Sequence, residues 1–486
     1  MSRARAVMVL GCTSWAGKSL VATALCRWYV RQGLRVVPFK GQNMSNNARV
    51  VAAAPGSADA GEMGVAQWLQ ARAARVTPDV RMNPVLVKPE HDGSQVVVLG
   101  RADPALSALA WAARPGGLWP VIASVYDELA ADPGLRPDLV VAEGAGSPAE
   151  TNLRDTDLAN LRVAHHADAR ALLVADIDRG GAFAHLLGTW QLLAPADRAR
   201  LDGFVLNRFR GDATLLRDAP GDLTARTGMA HAGVLPMLAH RLPDEDGARD
   251  LADLAPPGAP EVAVVRYPTA SNLDELLVLA GAARLRWART AADLDGADLV
   301  VLPGSKDVPG DLAWLHAGGV GAAVVRRAEA GARVLGVCGG LQVLGRAVDD
   351  RPGLGLLPVH TRNAPDKLTR RVRQRFADRL PAPWAGLAGT TVDGYDIRHG
   401  RTVAAPSGDG TPGAAPVLGT DSGWATGSVL GVACHGLLED PAVVAAVLPG
   451  TRPVADPLEA TLDGLADAVE EHLDTDLLRR LTGGLL

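Results

Sequence analysis

The sequence predicts an α/β protein built on mainly parallel sheets. Three observations carry this. Short apolar runs alternate with helical patterns along the whole chain. The first run, Ala6-Val7-Met8-Val9-Leu10, opens into a Gly-rich loop, Gly11 to Ser19, followed by a helical pattern. Far downstream, Arg333 to Val337 opens into Cys338-Gly339-Gly340 and a second helical pattern.

A chain of 486 residues suits two ordinary domains with a small extra element. Composition breaks between Pro243 and Pro260, where the apolar period is lost. The expected organisation is a first domain over residues 1–243, a linker over 244–260, a second domain over 261–450 and a helical tail over 451–486. Leu458, Leu462, Leu465, Val469 and Leu473 give the tail its period. Pro406 to Pro416 reads as a Gly- and Pro-rich surface insertion. A net charge of −5 provides no global attraction to nucleic acid or anionic membrane. No run approaches the ~20 apolar residues that span a bilayer. Arg3, Arg5 and the short run after them do not make a signal peptide, because the run leads straight into the Gly-rich loop. Cys12, Cys26, Cys338 and Cys434 fit neither a disulfide framework nor a zinc site, which points to a reducing cytoplasm.

In Gly11-Cys12-Thr13-Ser14-Trp15-Ala16-Gly17-Lys18-Ser19, glycines such as Gly17 let backbone N–H groups approach phosphate oxygens at a helix N-terminus. Lys18 would reach the outer phosphates and the Ser19 hydroxyl would ligate Mg²⁺. The spacing is one residue longer than the usual phosphate-loop pattern. The next strand, Val36 to Phe39, ends in Lys40-Gly41-Gln42-Asn43-Met44-Ser45-Asn46-Asn47. Ligands bind at such strand ends in open α/β sheets, but Asn and Gly also make ordinary solvated turns. Leu139 to Ala142 delivers Glu143 to a Gly-rich turn, where a carboxylate is suited to holding Mg²⁺ against a nucleotide. Leu172 to Ala175 ends in Asp176-Ile177-Asp178-Arg179. Gly203 to Leu206 ends in Asn207-Arg208, and Asn207 reads either as an adenine contact or as a polar strand cap.

In the second half, Val262 to Val265 and Leu299 to Leu302 read as strands, and the latter ends in Pro303-Gly304-Ser305-Lys306. That turn can offer a backbone N–H near a neighbouring strand end. Arg333 to Val337 presents Cys338 at a sharp strand-to-helix turn, where a thiol is exposed and the helix N-terminus favours its thiolate. A thiol nucleophile needs a base, and the candidate is His435 in Gly431-Val432-Ala433-Cys434-His435-Gly436. Cys434 reads as packing. Arg370, Arg371, Arg373 and Arg375 read either as the solvated face of a strand or as recognition of a substrate with several carboxylates.

Taken together, these motifs resemble the cobyric acid synthase family. The resemblance runs over nearly the whole chain. It is carried most specifically by Gln42-Asn43-Met44-Ser45-Asn46-Asn47 and Met82-Asn83-Pro84-Val85-Leu86-Val87-Lys88-Pro89. Gly61 to Gln67, Glu143 to Glu150, Asp176 to Gly181, Asn207 to Asp212 and Cys338-Gly339-Gly340 add to it. The resemblance implies an N-terminal dethiobiotin-synthetase-like ATP domain joined to a C-terminal class I glutamine amidotransferase-like domain. It implies amidation of the b, d, e and g carboxylates of adenosylcobyrinic acid a,c-diamide, with glutamine as nitrogen donor and ATP with Mg²⁺ activating each carboxylate. Cys338 would then be the glutaminase nucleophile and His435 its base. Lys18, Ser19 and Glu143 would serve ATP and Mg²⁺, with Lys40 toward the nucleotide and Glu62 toward the metal.

Several positions depart from the family pattern. Trp15 stands where Asp is frequent, Leu341 where Tyr is common, and Arg398 where His is common. Leu437 replaces the Glu that completes many amidotransferase triads, so no residue is assigned to orient His435. Corrinoid, glutamine and ATP are the expected partners, with no nucleic acid and no membrane, and the oligomeric state stays open. Two competing readings are the related a,c-diamide synthase and a nucleotide-switched partitioning ATPase. The Gln42 to Asn47 motif argues against the first, and a Cys338–His435 pair against the second.

Overall fold

The computed structural model describes residues 3–53, 59–90, 93–238, 242, 255, 258–405, 415–451 and 457–486. Most of the expected 244–260 linker and of the Pro406 to Pro416 insertion lies outside the described residues. The chain divides into two compact units. One comprises Met1–Ser45, Val51–Glu245 and Leu458–Leu486, and the other Asn46–Val50 and Asp246–Pro457.

The first unit is built on a six-stranded sheet. Its spatial order is Ala230–Pro236, Leu201–Phe209, Arg170–Asp176, Arg5–Gly11, Leu139–Glu143, Val36–Phe39. Every neighbouring pair is parallel. The central strands are nearly continuous Val, Leu and Ala, as strands covered on both faces must be. Register places Val9 opposite Glu143 and Phe39 opposite Ala142, which brings Glu143, Lys40 and the Gly11 loop to one edge. The helix Lys18–Arg31 covers one face and shares its core with the tail.

The tail is two helices, Pro457–His472 and Thr475–Leu481. They are separated where the Asp474 carboxylate caps the second by accepting from Leu477 N at 2.9 Å. Leu462, Leu465, Val469, Leu473 and Leu478 are buried against Val21, Leu25 and Trp28. Buried Arg27 meets Glu459 at 2.7 Å, and Tyr29 donates its hydroxyl to Leu478 O at 2.8 Å.

The second unit has its own six-stranded sheet. Its order is Arg284–Ala288, Glu261–Val265, Leu299–Leu302, Arg333–Val337, Val429–Val432, Gly423–Thr426. All neighbours are parallel except the last pair, where Gly423–Thr426 closes the edge antiparallel. Apolar clusters fill both faces. A long antiparallel pair, Val359–Arg375 with Thr391–Ala404, carries the Arg run. The Arg370 guanidinium donates to the Asp396 carboxylate at 2.8 Å, Arg373 faces Asp393 at 3.8 Å, and Arg375 donates to Asp378 at 2.6 Å. These three arginines are therefore matched to carboxylates of the unit itself.

Candidate active sites

The first cluster forms where the Gly11 loop turns into its helix. Gly17 has φ 98°, in the left-handed region, and a Cβ there would lie 1.9 Å from Asn207 Nδ2. Only glycine fits both conditions. Asn207 Nδ2 donates to Ala16 O at 3.0 Å, so Asn207 ties its strand end to the loop. This fits the strand-cap reading, while the buried Asn207 Oδ1 has no hydrogen-bond partner, which leaves the adenine-contact reading open as well. Trp15 is also left-handed, with φ 66°, and its ring is partly exposed on the loop.

Lys18 Nζ donates to Thr13 O at 3.3 Å and to Gly146 O at 3.0 Å, so it bridges the loop and the turn after Glu143. Glu143 is fully buried. Its Oε1 accepts from Ser19 Oγ at 2.8 Å and from Lys40 Nζ at 2.8 Å. Its Oε2 accepts from Gln70 and, at 3.4 Å, from Gln67. Burial alone would push Glu143 up, but Lys40, Gln70 and Ser19 outweigh it and hold the carboxyl below its ordinary range. Glu143 is therefore ionised, and Lys40 balances it.

The motif residues around this cluster interlock. Asn43 Nδ2 donates to Gln67 Oε1 at 3.0 Å, Asn83 Nδ2 to Lys40 O at 3.1 Å, and Gly64 N to Asn83 Oδ1 at 3.2 Å. Three separated sequence motifs thus fix one polar core around Lys40 and Glu143. Gln67 and Gln70 were not singled out as individual site residues. Their signal is the helix Val65–Ala73, which places them three residues apart on one face. Glu62 is buried and pairs with Lys88.

Ser19 and Glu143 are hard oxygen donors side by side, the donor chemistry that Mg²⁺ takes together with phosphate oxygens. No group of three or more His, Cys, Asp or Glu that could hold a metal occurs among the described residues.

The second cluster lies at the carboxyl ends of the other sheet. Cys338 follows Val337 with φ 50° and ψ −103°, a strained conformation for a side-chain-bearing residue, and begins the helix Gly339–Leu344. Its N–H donates to Val432 O at 2.7 Å. The strain is held by close packing, because a Cβ on Gly340 would lie 1.9 Å from Leu302 O and one on Gly339 2.6 Å from Ser305 N. The Gly304 to Ser305 turn therefore does sit against the Cys338 elbow. Asp311 anchors that turn, accepting from Ser305 Oγ at 2.6 Å and from Thr269 Oγ1 at 2.7 Å.

His435 is buried beside Cys338. Its Nδ1 is 2.6 Å from Glu275 Oε1, and Glu275 Oε2 accepts from Gly436 N at 2.8 Å. Burial would push the imidazole down, but Glu275 and Cys338 outweigh it and hold it well above its ordinary value. Tyr395 stacks on the ring at 5.4 Å and 23°. Its backbone exchanges hydrogen bonds with that of His435, Tyr395 N to His435 O at 3.1 Å and His435 N to Tyr395 O at 2.9 Å.

Glu275 is the residue against His435 that the sequence reading missed. It lies in the Leu273–Gly281 helical turn, 160 residues from His435. Cys434 is buried, and burial pushes its thiol up, as packing requires. Arg398 is buried 3.5 Å from Asp396 and donates to Gly400 O at 2.7 Å.

No helix among the described residues is long and apolar enough to cross a membrane. Residues 7–243 match the CobQ/CobB/MinD/ParA nucleotide binding domain family. Residues 261–443 match the CobB/CobQ-like glutamine amidotransferase domain family. A cobyric acid synthase of Variovorax paradoxus is 52% identical over 98% of this chain and 99% of its own. One of Methylibium petroleiphilum is 53% identical over 99% and 97%, and one of a Polaromonas species 49% identical over 98% of both. Among solved structures, PurLQS from Thermotoga maritima matches 39% of this chain and 98% of its own, with 19% identity and a TM-score of 0.32.

Proposed function

Because this chain belongs to the cobyric acid synthase family, we propose that it amidates the b, d, e and g carboxylates of adenosylcobyrinic acid a,c-diamide, using ATP and glutamine. The observation that carries the glutamine half is the strained Cys338 elbow against a His435 gripped by Glu275.

The chemistry follows from those residues. Cys338 Sγ attacks the glutamine carboxamide carbon, and His435 holds the thiol proton and passes it to the leaving nitrogen. Ammonia departs and a γ-glutamyl thioester remains on Cys338. Water, deprotonated by His435, then releases glutamate and restores the thiol. Glu275 stabilises the imidazolium at each stage and fixes the ring through Nδ1. Backbone N–H groups of Gly339 and of the Gly304–Ser305 turn, which pack together at the elbow, would hold the tetrahedral oxyanion.

In the nucleotide half, the Gly11 to Ser19 loop and Lys18 bind the ATP phosphates. A substrate carboxylate oxygen attacks the γ-phosphorus, ADP leaves, and an acyl phosphate forms. Ammonia displaces inorganic phosphate from it and the amide results. Mg²⁺ held by Ser19 and Glu143 would neutralise phosphate charge there. Lys40 keeps Glu143 ionised, and Glu62, the other carboxylate expected toward the metal, pairs with Lys88.

The test is incubation of the purified protein with ATP, Mg²⁺, glutamine and the a,c-diamide, followed by mass spectrometry of the corrinoid. Stepwise conversion of the remaining carboxylates to amides is expected. An unchanged corrinoid, with glutamine hydrolysed and ATP bound, would overturn the substrate assignment.

A further inference from the structure

The segment Asn46–Val50 lies inside the stretch matched by the nucleotide-binding family, yet it belongs to the second unit. Its contacts converge on the His435 cluster. Asn272 is left-handed, with φ 54°, immediately before the turn that carries Glu275. Asn272 N donates to Asn47 Oδ1 at 2.9 Å, and its Nδ2 donates to Ala48 O at 2.7 Å and to Tyr395 Oη at 3.1 Å. One asparagine thus links the segment to the aromatic ring stacked on His435.

Arg49 completes the link. Its guanidinium is buried, 2.6 Å from Asp274 and paired also with Glu439. Asp274 directly precedes Glu275, and Glu439 lies three residues beyond Gly436, whose N–H Glu275 accepts. The Arg49 Cζ also stands 5.7 Å from the Tyr395 ring centre. One cation therefore holds the chain on both sides of the Glu275–His435 contact and neutralises the two carboxylates that flank it. Without that charge, buried Asp274 and the more exposed Glu439 would repel Glu275 and each other, and the segments bearing Glu275 and His435 would lose their common anchor.

We propose that Arg49, presented by Asn46–Val50, is a positioning residue for the glutaminase, setting Glu275 against His435 without touching glutamine. The amidotransferase site then takes part of its support from a segment encoded within the nucleotide-binding half. This rests on reading Cys338, His435 and Glu275 as the glutaminase. Cys338→Ala, losing glutamine-driven but not ammonia-driven amidation, establishes that reading separately.

The experiment compares steady-state glutamine hydrolysis by full-length Arg49→Gln, Arg49→Lys and Asn47→Ala with ammonia-driven amidation by the same proteins. Arg49→Gln should lower kcat for glutamine by about 10-fold to 100-fold through misplacement of the His435 ring. KM should stay within about twofold, because no glutamine contact is removed, and ammonia-driven amidation should persist. Arg49→Lys keeps the charge and should recover most of kcat. Asn47→Ala, which removes one acceptor from Asn272, should lower kcat in the same direction. An unchanged kcat in folded Arg49→Gln would overturn the proposal, as would equal loss of both activities. If Arg49→Gln does not fold, Asn47→Ala decides, and a wild-type kcat there overturns it.

Discussion

The Glu143 and His435 clusters solve the same problem, a buried charge, with opposite sign. Glu143 is an acid kept ionised by a lysine at the next strand end. His435 is a base kept protonated by a glutamate from a distant turn. Their linkage to pH therefore runs in opposite directions. The depressed Glu143 contributes stability above its unfolded value of about 4.3, lost as pH falls through its folded value. The raised His435 contributes stability below its unfolded value of about 6.5, lost as pH rises through its folded value. The first unit's pair thus fails toward acid and the second's toward alkali. The contrast suits the tasks proposed for them, since one site would hold fixed charge against phosphate and the other would pass a proton.

The sharpest way to separate the two clusters is to remove the reacting atom of one. Cys338→Ala should cut glutamine-driven amidation by more than about 10³-fold, while amidation with high free ammonia continues. Loss of both in a folded protein would contradict the division of labour. Lys18→Ala should lower amidation by about 10²-fold to 10³-fold whichever nitrogen source is supplied. Survival of the ammonia-driven rate would remove Lys18 from the phosphate site.

Glu275→Gln tests the charge behind His435. It should lower kcat for glutamine by about 10²-fold and bring the imidazole back toward 6.5. The ring ¹⁵N shifts followed through a pH titration would show this, and an unmoved titration would mean that Glu275 does not hold the proton. The smallest effect is expected at Arg373, which is exposed and 3.8 Å from an exposed Asp393. Arg373→Ala should change stability by less than about 0.5 kcal/mol. It should leave the corrinoid KM unchanged in a steady-state titration. A raised KM would restore the carboxylate-recognition reading of the Arg run.

Most of the sheet architecture was legible because buried parallel strands must be continuous apolar runs, and glycine-bearing turns must follow where a ligand approaches their ends. Val7 to Leu10, Leu139 to Ala142, Leu299 to Leu302 and Val334 to Val337 all read this way and all form neighbouring central strands. The phosphate loop, the Cys338 elbow and the strand-end His435 were legible for the same local reason. Their chemistry is written in contiguous residues.

Contacts between distant segments are another matter. Helical period predicted the tail's apolar stripe, but not that it covers the Lys18–Arg31 helix. The Arg370 to Arg375 run reads two ways until Asp396, Asp393 and Asp378 are seen beside it. Glu275 carries no motif that marks it, and Leu437 removes the local residue that would have announced a triad. By itself the sequence determined the two sheets, the loop glycines and the Cys338 elbow, because hydrophobic period and backbone conformation are local properties. Only the tertiary structure decided which carboxylate meets His435 and which cation meets Asp274. Side-chain partners are chosen by proximity in the folded core, where an unpaired charge costs most, and sequence separation places no limit on that choice.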